Sequence, residues 1–244
     1  MKTHFSKALS KRVRPGFTLT ELMVVVLIIV VLALVALYGV RRIRDGADKS
    51  VSARNLAQIQ VANMTYATEH NGRFTPIRVN DDKGNPTRWF QDVKFLANLL
   101  GMPVDDLDPK KIAPIPLQML DPKVVRARKT QYDRIFCSYG MNDTGLALGG
   151  EPNLDSGHNL NKLADPARTM AFATATDFRV TYNNRFKWNF DNPNDSKTAG
   201  GEIAYRHSDK VLVVYFDGHC GEMGKADFEK IDTSGGKNNA FWKP

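Results

Sequence analysis

Apolar and polar positions divide the chain into three stretches. Residues 22–40 form an unbroken apolar run without a charged side chain. These nineteen residues, at ~1.5 Å of helical rise each, cover roughly 28 Å, close to the thickness of bilayer hydrocarbon. The run is therefore long enough to span a membrane as a helix. Residues 41–70 hold no proline and close on His70-Asn71-Gly72, a helix stop, so the helix is expected to continue well beyond the run. Gly39 and Gly46 are its weak points. At about 100° per residue, Ala53, Leu56, Ala57, Gln60, Met64 and Ala67 share one face, while Val51, Ile59, Ala62 and Tyr66 share the opposite one. Two apolar faces require two partners: the head of the same chain for one, and neighbouring helices in an assembly for the other. A helix wedged inside a single domain fits the pattern equally well.

From residue 73 onward the pattern shortens. Pro76, Pro86, Pro103, Pro109, Pro114, Pro116 and Pro122 break the chain into pieces, and only residues 92–101 read clearly as a short helix, closed by Gly101. Strand patterns follow at 134–139, 169–175, 202–206 and 210–216, with a polar loop at 191–201. The expected fold class is α+β, a long N-terminal helix packed on a mostly antiparallel sheet late in the chain.

Charge changes this picture little. The formal net charge is +8, but Lys2, Lys7, Lys11, Arg12 and Arg14 all precede the apolar run, and 8 − 5 leaves +3 for the remainder. A remainder so mildly basic, without a dense Lys/Arg stripe, predicts no nucleic-acid partner. The leader is basic like that of a secretory signal, yet the apolar run is longer and its one V-L-A segment, residues 31–33, lies inside it. Cleavage after the run is not expected. The five leader charges place the amino terminus on the cytoplasmic side, although Arg41, Arg42 and Arg44 flank the other end.

Glu21 stands at the edge of the apolar run. A carboxylate at the centre of a spanning helix costs about 2.5–3.5 kcal/mol, and less near an end, so such groups are usually paired or wetted at the headgroups. The surrounding residues, R-P-G-F-T-L-T-E-L, resemble the processing motif of type IV prepilins and type II secretion pseudopilins. The resemblance implies that a prepilin peptidase cuts after Gly16 and that the new terminus, Phe17, is methylated. It also implies that Glu21, fifth in the mature chain, pairs with the terminal amine of a neighbouring subunit. A buried carboxylate and a buried ammonium lower each other's desolvation cost, and satisfying both takes a second chain. The implied domains are a removed leader at 1–16, the transmembrane half of the helix at 17–40, its amphipathic continuation at 41–72, and a pilin-like head at 73–244.

Near the C-terminus, His207 is followed ten residues later by Asp217-Gly218. That spacing resembles a pseudopilin-like group carrying His, nine residues, then Asp-Gly, with further likeness in S-Y-G-M-N at 138–142, the segment 166–177 and the terminal N-A-F-W-K-P. His207, Asp209, Asp217, His219 and Cys220 include zinc-type ligands. Asp-Gly after a strand is also what a tight hairpin with φ > 0 at its central residues requires, and His207 and Asp209 bracket the preceding turn. No C-x-x-C or H-x-x-x-H pair supports a metal, so a structural turn role for His207, Asp217 and Gly218 is expected, with no cofactor. Cys137 and Cys220 both fall on the extracytoplasmic side, where a disulfide is geometrically conceivable; the sequence does not place their Cα atoms.

No nucleophile elbow, phosphate loop or paired-carboxylate arrangement appears, so no enzyme is expected. Two functions follow. One is a subunit of a secretion pseudopilus or pilus-like filament, a pseudopilin or minor pilin, whose partners are the prepilin peptidase, other subunits, an inner-membrane assembly platform and lipid. The alternative is a membrane-anchored periplasmic binding or metal-binding domain that joins no filament.

Overall fold

A computed structural model describes residues 17–80, 86–107, 115–148, 151–152, 155–185 and 200–243. The chain forms two compact units, Met1–Arg44 and Asp45–Pro244. Helix α1, Leu19–Glu69, begins in the first and ends in the second. In the first unit its apolar window has a mean hydropathy of 3.2 with none of it buried, so it is long and apolar enough to cross a membrane.

In the second unit α1 ends as its sequence predicts. Asn71 and Gly72 take positive φ (55° and 78°), and the Gly72 N–H donates to the Ala67 carbonyl at 2.8 Å, closing the last turn. Burial along this segment differs from the two-faced expectation. Leu56, Ile59, Ala62, Tyr66 and Ala67 are all buried within the one head, whereas Arg54, Gln58, Val61, Met64, Thr65 and Thr68 are exposed. The buried arc is centred between the two apolar stripes because amides lie along it. Asn55 Nδ2 donates to the carbonyls of Gln118 (3.0 Å) and Leu120 (3.1 Å), Gln60 Nε2 donates to that of Phe216 (2.8 Å), and Asn63 Oδ1 accepts from Thr75 N (3.1 Å). A pattern of apolar residues alone misses such a face, since its polar members are satisfied by the backbone they pack against.

After α1 come an antiparallel pair, β1 (Arg78–Asn80) with β2 (Pro86–Arg88), then α2 (Val93–Leu100), α3 (Pro122–Ala127) and α4 (Gln131–Phe136). Helix α2 closes at Gly101 as expected, at φ 64°, and Asp92 caps its start by accepting from Phe95 N at 2.9 Å. The remaining strands are β3 (Tyr139–Asn142), β4 (Ala147–Leu148), β5 (Glu151–Pro152), β6 (Met170–Thr174), β7 (Arg179–Val180), β8 (Val211–Tyr215) and β9 (Cys220–Met223), followed by α5 (Lys225–Thr233). Five of them form one sheet in the order β7-β3-β6-β8-β9, antiparallel except for β3 with β7. Both faces of its centre are covered. Phe172, Leu212 and Val214 face Leu56, Ile59 and Trp89, while Met170, Val211 and Val213 face Phe228, Phe241 and Trp242. That is why β6 and most of β8 read as continuous apolar runs.

Two expected strands are altered. Residues 131–136 are helical because Thr130 caps them, its Oγ1 accepting from Asp133 N at 3.1 Å, and the strand begins only at Tyr139. Residues 202–206 give one bridge, Ile203 with Ala175, and no full strand. The polar loop expected at 191–201 falls mostly outside the described residues.

Candidate functional site

Gly16, the expected cleavage position, lies outside the described residues, and the description begins with Phe17, which is exposed. Thr18 and Glu21 then form a reciprocal cap at the start of α1. Thr18 Oγ1 accepts from Glu21 N at 3.2 Å, and Glu21 Oε2 accepts from Thr18 N at 2.9 Å and from Thr18 Oγ1 at 2.7 Å. The T-x-x-E spacing before an apolar run is the sequence signature of this capping box, and the expectation drawn from Glu21 alone overlooked it. One carboxylate oxygen thus takes the Thr18 N–H and hydroxyl and suits the positive end of the helix dipole, while Oε1 accepts no hydrogen bond among the described residues.

At the other end of the sequence, His207 is placed by a two-residue turn. Ser208 and Asp209 take positive φ (54° and 58°), and the backbones of His207 and Lys210 exchange hydrogen bonds at 3.2 Å. This carries the His207 ring inward to Asp121, with Nε2 at 2.9 Å from Oδ2, both side chains fully buried. Arg206 Nη1 lies 3.5 Å from the same oxygen and donates to Ser138 O, while Nη2 donates to the carbonyls of Cys137 and Ala175. Asp121 also caps α3 by accepting from Lys123 N at 2.9 Å. Burial alone would raise its carboxyl, but the Arg206 charge and the His207 hydrogen bond outweigh burial and hold it at about 2. His207 Nδ1 has no partner among the described residues, and neither side chain of the pair is exposed.

His207 and Asp217 do not meet in one site. They stand at opposite ends of β8, whose five residues span roughly 17 Å. The spacing of ten is the length of a turn, a strand and a second turn. In that second turn only Gly218 has positive φ (95°), and Gly218 N donates to Tyr215 O at 2.9 Å, so the hairpin is a wider one than the tight turn expected with both central residues at φ > 0. Asp217 Oδ1 accepts from His219 N (3.1 Å) and lies 2.6 Å from His219 Nδ1, while the His219 ring stacks on Tyr215 at 4.1 Å. Among the described residues no three His, Cys, Asp or Glu side chains converge as a metal site would require.

The two cysteines are likewise held apart, and both are free. Cys137 is buried just before β3, whereas Cys220 opens β9 with its Sγ 3.4 Å from the Ala53 carbonyl. Two strands, β6 and β8, separate β3 from β9 in the sheet. Three strand spacings amount to roughly 14 Å, about twice the Cα separation a disulfide tolerates.

Residues 11–37 match the prokaryotic N-terminal methylation motif. The amino terminus is prepilin-like. This match covers residues 11–16 of the basic N-terminal segment, the Thr18–Glu21 cap and the greater part of the apolar run, and with α1 it supports membrane anchoring. No curated protein and no solved structure matches the chain. The long helix followed by an α+β head with an antiparallel sheet is consistent with a pilin-like fold.

Proposed function

We propose that the chain is a structural subunit, a pseudopilin or minor pilin, of a type II secretion or type IV pilus-like filament. Prepilin peptidase cuts after Gly16, and the Phe17 amine is then methylated. The observation that carries this reading is the methylation motif at 11–37 together with Glu21 at the fifth position of the mature chain, one oxygen clasped by Thr18 and the other open to a neighbour's amine. In this reading the apolar run makes a single pass through the inner membrane with the head on the periplasmic side. An inner-membrane platform feeds subunits into the filament. The His207 to Gly218 region belongs to the head as a fold element, bracketing β8, and does no catalysis.

Mass spectrometry of the protein from its own membranes tests the reading. A chain beginning at N-methyl-Phe17 is expected. A chain that retains Met1 would refute the processing step and favour the anchored periplasmic domain that joins no filament.

A further inference from the structure

We infer that Arg41, Arg42 and Arg44 bind the phosphates of anionic phospholipid headgroups at the interface where the apolar run ends. Arg41 follows Val40 directly, and the three guanidinium groups are the only cationic side chains between residues 17 and 48. All three are exposed, and none forms a hydrogen bond or ion pair with another described side chain.

The acids that would neutralise them are already taken. Asp45 is bound by Lys123 Nζ at 3.0 Å, and Asp48 is held by both terminal nitrogens of Arg126. Helix α3 thus engages the two carboxylates that follow the arginines in sequence, and the arginines keep their charge for a ligand outside the protein.

Geometry fits the headgroup layer. Residues 41–44 rise about 4.5 Å along a helix, within the roughly 5–7 Å of polar layer on each side of the hydrocarbon. At about 100° per residue their side chains fan over an arc of about 160°, so they reach several lipids at once. Arginine suits the task because its planar fork pairs with phosphate through two hydrogen bonds.

The inference requires membrane anchoring; the leaflet follows from the orientation proposed above. Full-length protein extracted from vesicles of equal phosphatidylglycerol and phosphatidylcholine, and weighed with its retained lipids by native mass spectrometry, should be enriched in phosphatidylglycerol. The triple variant R41Q/R42Q/R44Q should lose on the order of tenfold or more of that enrichment, at roughly fivefold per arginine. The triple Arg→Lys variant should retain most of it. Unchanged enrichment in the glutamine variant overturns the inference, as does enrichment that excess inorganic phosphate abolishes, which would mark a general anion site. Loss of intersubunit crosslinks with lipid preference intact would assign the arginines to a second copy and overturn it too. Retention of Met1 would refute processing while leaving the lipid result standing.

Discussion

Asp121 and His207 lie 86 residues apart in sequence, yet Nε2 of one and Oδ2 of the other are 2.9 Å apart with both side chains fully buried. Asp121 also lies within ion-pair distance of Arg206, whose side chain is fully buried. Asp121→Ala should therefore break a buried ion pair together with the bond to His207 and destabilise the head by about 3–5 kcal/mol. Asp217→Ala removes only bonds to the exposed His219 and should cost about 1 kcal/mol or less. Thermal melts of the full-length protein in detergent separate the two. A larger loss at Asp217 would reverse the order argued here.

Two buried groups should oppose each other in acid. Burial holds His158 at about 4, with its Nε2 donating to Asn142 O at 2.9 Å, so the stability it contributes is complete above pH 6.5 and lost as pH falls towards 4. Burial raises Asp143 to about 6 against the pull of Arg179, so its contribution is present below pH 3.8 and lost as pH rises to 6. Each is worth about 3 kcal/mol, and between pH 4 and 6 they largely cancel. His158→Gln should make the head gain stability on acidification through that window, and Asp143→Asn should make it lose stability. Denaturant midpoints at stepped pH report the two slopes, and slopes of equal sign would contradict the assignment.

Gly157 leaves no room for a side chain. A Cβ there would sit 1.8 Å from the Phe74 carbonyl oxygen, a backbone atom that cannot swing away. Gly157→Ala should cost about 3 kcal/mol or more and lower the melting temperature by roughly 6–12 °C. An unchanged melting temperature would mean that the two backbone segments separate freely.

Replacing Gly16 should stop processing under the proposed function, because a bulky residue at the cut no longer fits an extended chain in the peptidase. Gly16→Leu should accumulate at the precursor mass. Mature protein beginning at Phe17 would put the cleavage elsewhere.

Glu21→Val should insert in the membrane at least as well as the parent chain, since removing the charge lowers the cost of burial. Cleavage should persist, but crosslinking between subunits should fail, because the neighbouring amine is left unpaired in hydrocarbon at a penalty of several kcal/mol. Thr18→Val separates the cap from the pairing: it removes the hydroxyl bonds to Glu21 at a cost of about 1 kcal/mol while leaving the carboxylate in place, and should crosslink. Normal crosslinking by the Glu21 variant would leave Glu21 as a cap alone.

Much of the fold was legible because its signals are local. The apolar run, the stop at Asn71-Gly72, the helix closed by Gly101, and the runs that became β6 and β8 each lie within about twenty consecutive residues. What the sequence hid depends on distant partners. Nothing near His207 points to Asp121, and the amides of Asn55, Gln60 and Asn63 look like an exposed face until the carbonyls of Leu120 and Phe216 are placed beside them. Thr130 and the T-x-x-E of Thr18 and Glu21 were readable local signals, overshadowed by an apparent strand and by the single charge.

The amide bonds of α1 also decide how the head answers force. Asn55, Gln60 and Asn63 reach the main chain at Leu120, Phe216 and Thr75 over about 12 Å of helix axis. A pull along that axis loads them together in shear, and a slip of a single residue would break every one before a new set could form. Resistance to pulling is set by the height of the unfolding barrier, not by equilibrium stability. Tension applied along the helix would therefore meet several bonds at once, and this part of the head should resist it as a unit.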